Sequence, residues 1–284
     1  ADSLVALARM PAVQNIEVWH SPVLANDLSR VRLDVSTSTT ASAPGGNWLN
    51  LTGNGVFVGL IDSGVDLAHG QLAGRTFTNA ASPGIDVDGH GTHVAGVIAA
   101  NDAADPGAAS GSLVGATYRG IAPGARVYPL SLYSTDYTNY ANPWLITNAA
   151  LATNIFIVNN SWGYPVTAYD INSALFDEAV RDSLPFRTNN QPMTHVFAAG
   201  NGGGANSGGL GGAADTIASP GNGKNVITVG ASELFRLVPN SLISTNTGTN
   251  DPQANAHSDS FSQVADFSGR GNVGVGIEGP SGRF

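Results

Sequence analysis

From residue 56 onward the chain alternates between two hydrophobic regimes. Apolar runs at 56–61, 94–100, 126–132, 145–152, 155–158, 171–180, 195–199 and 226–229 are separated by polar, Gly-rich or Pro-containing segments. Some are short and rich in β-branched residues, and others space their apolar positions as a helix does. A strand covered on both faces needs apolar side chains on both, and parallel neighbours need a covering crossover between them. The alternation therefore predicts an α/β fold with a mostly parallel sheet and helices on both faces. Upstream, residues 4–19 show a short helical pattern, a break at Pro11 and then a strand-like run. The Ser/Thr/Ala/Pro/Gly segment 36–46 is read as a loop or linker that sets an N-terminal extension apart from the core. Gly-rich stretches at 200–212 and 269–282 have no repeat period and read as loops.

Composition narrows the function more than the fold. The chain has 284 residues, enough for one main domain. Twelve basic against 21 acidic residues give a formal charge of −9, so no cationic surface is available to displace counterions from a nucleic acid. No cysteine is present, which excludes disulfides, thiolate metal sites and a Cys nucleophile. No apolar run reaches the length of a membrane span, so no membrane partner is expected. The first residues lack the basic-then-apolar pattern of a signal peptide, and any export signal is expected to have been removed.

Three loops carry chemistry. The run 56–61 ends in Asp62-Ser-Gly64, which places a carboxylate at the carboxyl edge of the sheet, where open α/β sheets bind ligands. Asp88-Gly-His90-Gly-Thr-His93 leads into a small-residue helix with His90 at its start. A carboxylate that accepts from one imidazole nitrogen fixes the tautomer, so that the other can take a proton from a hydroxyl nucleophile. The run ending in Ala199-Gly200-Asn201 presents a side-chain amide at a Gly-rich turn, a donor suited to an oxyanion.

The motifs Ile61-Asp62-Ser-Gly, His90-Gly-Thr-His-Val-Ala-Gly96, Gly120-Ile-Ala-Pro-Gly-Ala125, Asn160-Ser-Trp-Gly163 and Ala198-Ala-Gly-Asn201 occur in the order found in the subtilisin-like serine proteases, which this chain resembles. The resemblance implies a three-layer α/β fold and hydrolysis of protein peptide bonds through an acyl-enzyme. It also implies Asp62 and His90 as the catalytic Asp and His, and Asn201 as the oxyanion donor. Ser161, Trp162 and Gly163 would form the edge that pairs with extended substrate backbone, and Ala199 and Gly200 would line the pocket beside the scissile bond. Segments 218–231 and 264–271 are similar to the branch of large alkaline bacterial proteases. In that branch the mature enzyme begins at a segment resembling 26–35. Residues 1–25 are accordingly expected to be a propeptide tail and 26–284 the front portion of the peptidase domain.

The family's nucleophile lies in a Gly-Thr-Ser-Met-Ala type motif that opens a long apolar helix, downstream of the segment matching 267–271. Ser281 has no such helix after it and is not taken as the nucleophile. The C-terminal part of the fold is thus expected to come from elsewhere, most simply a second chain cut from one precursor, and this chain alone is expected to be inactive. Exposing even about 1,000 Å² of apolar sheet would forfeit roughly 25 kcal/mol, more than a domain's whole stability. The resemblance also implies export from the cytoplasm, no cofactor for the chemistry and structural calcium as an option; Asp86 and Asp88 lie in a suitable loop, but spacing assigns no ligands.

Plainer readings compete at each site. A lone Asp at a strand end is usually a turn former or cap, and here the motif order outweighs that. A His90/His93 zinc pair would make a metallohydrolase, yet the residues between them are Gly and Thr rather than the Glu of a zinc-protease helix. A non-catalytic peptide-binding module would gain nothing from a base together with an oxyanion donor. The Gly200–Gly204 turn lacks the following helix and acidic residue of a dinucleotide loop. His20, His69, His195 and His257 receive no role.

Overall fold

The structure is a computed structural model that describes residues 33, 35, 51–78, 85–101, 119–132, 141–152, 154–206, 209–233, 260 and 262–271. The expectations for 1–25, for 36–46 and for Ser281 lie outside the described residues. Among the described residues eight elements follow in order: β1 (Phe57–Asp62), α1 (His90–Ala99), β2 (Arg126–Ser131), α2 (Ala141–Leu151), β3 (Ile155–Asn160), α3 (Ile171–Arg181), β4 (Thr194–Ala198) and β5 (Ile227–Val229). Each predicted run falls on one of them. The five strands form one sheet in the order β2-β1-β3-β4-β5, and every pairing is parallel.

Side-chain alternation divides the sheet's two faces. Leu60 and Val127 point to one face, where they pack with Val65, Leu72 and the α1 alanines Ala95 and Ala99. Small residues on α1 let that helix lie close to the strands. Ile61, Tyr128, Leu130 and Val158 point to the other face and meet Leu145 and Ala149 of α2. Phe176 and Ala179 of α3 cover Phe197 on the same side. Helices therefore cover both faces, as the sequence pattern requires.

Coverage is uneven. α1 packs on β1 and β2, and among the described residues no helix packs on the remainder of that face. Register places Ile157, Val196, Ile227, Ala198 and Val229 together on that face. Ile227 and Val229 are each 52% exposed, and Val196 is half-buried.

His195 points the opposite way, into the core, with its ring 4.9 Å from that of Phe176. It is fully buried, and neither ring nitrogen has a partner among the described residues. Burial pushes its pKa down from 6.5 to about 3. Because the folded value lies below the unfolded one, stability is intact above pH 6.5 and is lost as pH falls toward 3. The cost is about 3 kcal/mol at pH 4. Urea unfolding of wild type and His195→Leu at pH 7 and pH 4 checks this. The variant, which has nothing to protonate, is expected to lose less stability on acidification by that amount.

Candidate active site

All five strands run the same way, so their carboxyl ends share one rim. Asp62 closes β1, Ser161 follows β3 and Ala199 follows β4. Alternation from Val58 and Leu60 turns the Asp62 side chain toward the α1 face, and α1 begins with His90. The two meet: His90 Nδ1 lies 2.7 Å from Asp62 Oδ1. Asp62 is 3% exposed and His90 50% exposed, so a buried carboxylate holds a ring that still reaches solvent. Asp62 Oδ1 also accepts from the Ser63 N–H at 2.7 Å. Its Oδ2 is buried with no partner among the described residues. A carboxylate so poorly solvated has most to gain from positive charge on the ring beside it.

Two backbone features bring α1 this close. Gly64 has φ +121°, and a Cβ there would run into the Ile85 carbonyl. A Cβ on Gly91 would collide with the Gly64 carbonyl oxygen, so the first turn of α1 rests directly on the strand-end turn. The chain supplies glycine at both positions because nothing larger fits.

Asp86 welds the two pieces together, a role sequence spacing did not reveal. Its Oδ1 accepts from Ser63 Oγ at 2.8 Å, from the Gly89 N–H at 2.8 Å and from the Asp88 N–H at 3.1 Å. Its Oδ2 accepts from the Thr92 N–H at 2.8 Å and from Thr92 Oγ1 at 2.6 Å. Ser63 Oγ in turn accepts from the Gly91 N–H at 2.8 Å. One carboxylate thus caps the helix that carries His90 and holds the neighbour of Asp62. Burial pushes the Asp86 pKa up, but hydrogen bonds from Thr92, Gly89 and Ser63 outweigh it and hold the carboxyl well below its usual range. Both oxygens are already engaged by protein donors, and among the described residues no group of three His, Asp or Glu side chains converges as a metal cluster.

Asn201 follows β4 at the same rim, exposed, after Gly200 at φ +85°. Only β3 separates β4 from β1, so two strand spacings of about 4.8 Å lie between their ends. No hydrogen bond links Asn201 to Asp62 or His90. Ala199 and Gly200 stand close to Gly163 through a shared neighbour. A Cβ on Gly163 would lie 2.9 Å from Ala218 Cβ, and one on Gly200 would lie 3.2 Å from it. The Tyr164 N–H donates to the Ser219 carbonyl at 2.7 Å, fixing the third wall. Ala218 sits between the two predicted pocket edges and was legible in sequence only as part of a matching segment. Trp162 turns its ring inward, edge-on to Phe197 at 5.6 Å and Phe176 at 6.0 Å. Ser161, Trp162 and Gly163 follow β3 at the rim, with Trp162 part-buried.

Residues 53–279 match the model of the subtilase family, peptidase S8. The chain is 31% identical over 187 residues to Subtilisin E of Bacillus subtilis (strain 168), an alignment covering 63% of this chain and 42% of that protein. It is 30% identical over 187 residues to the Subtilisin of Bacillus pumilus, covering 63% and 58%. The chain therefore spans less than two thirds of either relative. It is also similar to the solved structure of the S41 psychrophilic protease, with 25% identity and a TM-score of 0.48, over 78% of this chain and 60% of that one.

Proposed function

The chain belongs to the subtilase family, and from that premise we propose that it contributes the base, the orienting carboxylate and the oxyanion donor of a serine endopeptidase. One observation carries the reading: a buried Asp62 bonded at 2.7 Å to a half-exposed His90. Nδ1–H donates to Asp62, which leaves the Nε2 lone pair to take a proton from a seryl hydroxyl as that oxygen attacks the scissile carbonyl. The C–O bond forms, and the carbonyl electron pair moves onto an oxyanion, which Asn201 and a backbone N–H stabilise. His90 then gives its proton to the leaving amine. Water, deprotonated by the same ring, hydrolyses the acyl-enzyme. The backbone of Ser161, Trp162 and Gly163 on one side and Ala199 and Gly200 on the other would hold the extended peptide.

The seryl nucleophile is proposed to come from a segment outside these 284 residues. Toward β5 the α1 face of the sheet exposes Ile227 and Val229, with no described helix over them, and this supports the proposal, since an apolar helix laid there would complete the layer. This chain by itself is then inactive. Residues 1–25 are proposed to be a propeptide tail on the same resemblance. No described helix is long and apolar enough to cross a membrane, and export of the protein is part of the same proposal.

A fluorophosphonate probe tests this reading. The intact protein should be labelled on one serine and should cleave casein, and a His90→Ala variant should do neither at a measurable rate. Peptide binding without labelling or cleavage would instead indicate a non-catalytic binding module.

A further inference from the structure

An exposed donor has to be aimed by its own backbone. Asn201 is exposed and its side chain makes no hydrogen bond among the described residues, so its direction depends on how the turn after β4 is held. That turn is fastened on either side of it by the strip 264–271. The Gly269 N–H donates to the Gly200 carbonyl at 2.9 Å. Beyond Asn201, the Gly203 N–H donates to Phe267 at 2.8 Å and the Ala205 N–H to Asp266 at 3.0 Å. Contact is close enough that a Cβ on Gly269 would strike the Ala199 carbonyl, and one on Gly203 the Ser268 carbonyl.

The strip is a tight turn, with the Ser268 N–H bonded to the Ala265 carbonyl at 3.0 Å, and it needs a fastening of its own. Arg270 supplies it. Nη1 donates to the Ser268 carbonyl at 2.6 Å and to the Ala265 carbonyl at 3.3 Å. Nη2 reaches across to the Gly209 carbonyl, in the far limb of the Gly-rich loop, at 3.2 Å. The Arg270 backbone is tied as well: its N–H donates to Thr216 Oγ1 at 2.8 Å, and its carbonyl accepts from the Thr216 N–H at 3.1 Å. A planar fork places donors on two separate nitrogens, so Nη1 can hold the strip while Nη2 reaches the loop, a span that the single nitrogen of an ammonium does not offer in the same fixed geometry.

We infer that Arg270 is a positioning residue for the oxyanion donor: its guanidinium locks strip 264–271 against the Gly-rich loop and so aims Asn201. The inference rests on the protease reading above. An oxyanion donor acts on charge that develops in the transition state and contributes little to ground-state binding. Loosening its support should therefore lower kcat and leave KM nearly unchanged.

A double-mutant cycle in the intact protease tests this on a chromogenic peptide. Asn201→Ala should lower kcat by about 10²- to 10³-fold, the magnitude known for the corresponding amide of a subtilisin. Arg270→Met alone should lower kcat by about tenfold or more, with KM changing less than about twofold. In the Asn201→Ala background, Arg270→Met should change kcat by less than about twofold, because the group it aims is gone. Equal kcat losses in both backgrounds, a loss confined to KM, or no loss would overturn the inference while leaving the protease reading intact. An Asn201→Ala variant as fast as wild type would instead sink the oxyanion assignment and this inference with it. Should Arg270→Met not fold, Arg270→Lys, which keeps the charge but has one donor nitrogen in place of the two-nitrogen fork, enters the same cycle and is read the same way.

Discussion

Replacing Asp62 by asparagine is expected to lower kcat of the intact protease by about 10⁴-fold with KM changed only a few-fold, the size of loss known for this change in a Ser-His-Asp hydrolase. The reason lies in the 2.7 Å contact between Asp62 Oδ1 and His90 Nδ1. Asparagine has nearly the same shape, so the ring stays in place, but its amide donates a proton to Nδ1 where the carboxylate accepts one. The ring proton moves to Nε2, and the nitrogen facing the nucleophile loses the lone pair it needs. The imidazolium of the transition state also loses its counter-charge in a site where Asp62 is 3% exposed and water cannot substitute for it. Steady-state kinetics, with circular dichroism to verify the fold, make the measurement. A loss below about tenfold in a folded variant would remove Asp62 from the mechanism.

The second large effect comes from a single methyl group. Gly91→Ala would place a Cβ against the Gly64 carbonyl oxygen, which is backbone and cannot swing aside. Relief requires the first turn of α1 to lift away from the end of β1, stretching the His90 contact to Asp62 and the Gly91 N–H bond to Ser63 Oγ. A cost of about 1–3 kcal/mol in stability is expected for such overpacking. A displacement of about 1 Å at His90 would cost on the order of 10²-fold in kcat. Gly96→Ala is the matched control. It lies on the same helix with nothing within 4 Å of the added Cβ, and it should stabilise the helix by up to about 1 kcal/mol without loss of activity. Thermal melts and kinetics of the two variants side by side decide the matter. Equal behaviour would mean that α1 is not seated on the Gly64 turn as described.

The alternation of apolar runs was enough to place the eight elements of the described residues to within a few positions and to require a sheet covered on both faces, because periodicity and burial act over a handful of neighbouring positions. Asp62 and His90 were legible for a related reason: each sits at the end of a recognisable element, inside a motif whose glycines encode a close approach. Other features depend on groups far apart in the chain, and no local pattern announces them. Asp86 reads in sequence as one more loop acid, and it becomes the clamp between Ser63 and Thr92 only after β1 and α1 pack. Ala218 meets Gly163 and Gly200 across three separate segments. Trp162 belongs to a rim motif, yet it spends its ring on the core because Phe176 and Phe197 close over it. Arg270 reaches Gly209 across 61 positions. The sequence by itself determined which residues could do the chemistry and which stretches would become strands or helices, since those depend on residue type and near-neighbour spacing. Tertiary structure alone decided which groups hold the chemical ones in place, since that depends on where the chain returns in space.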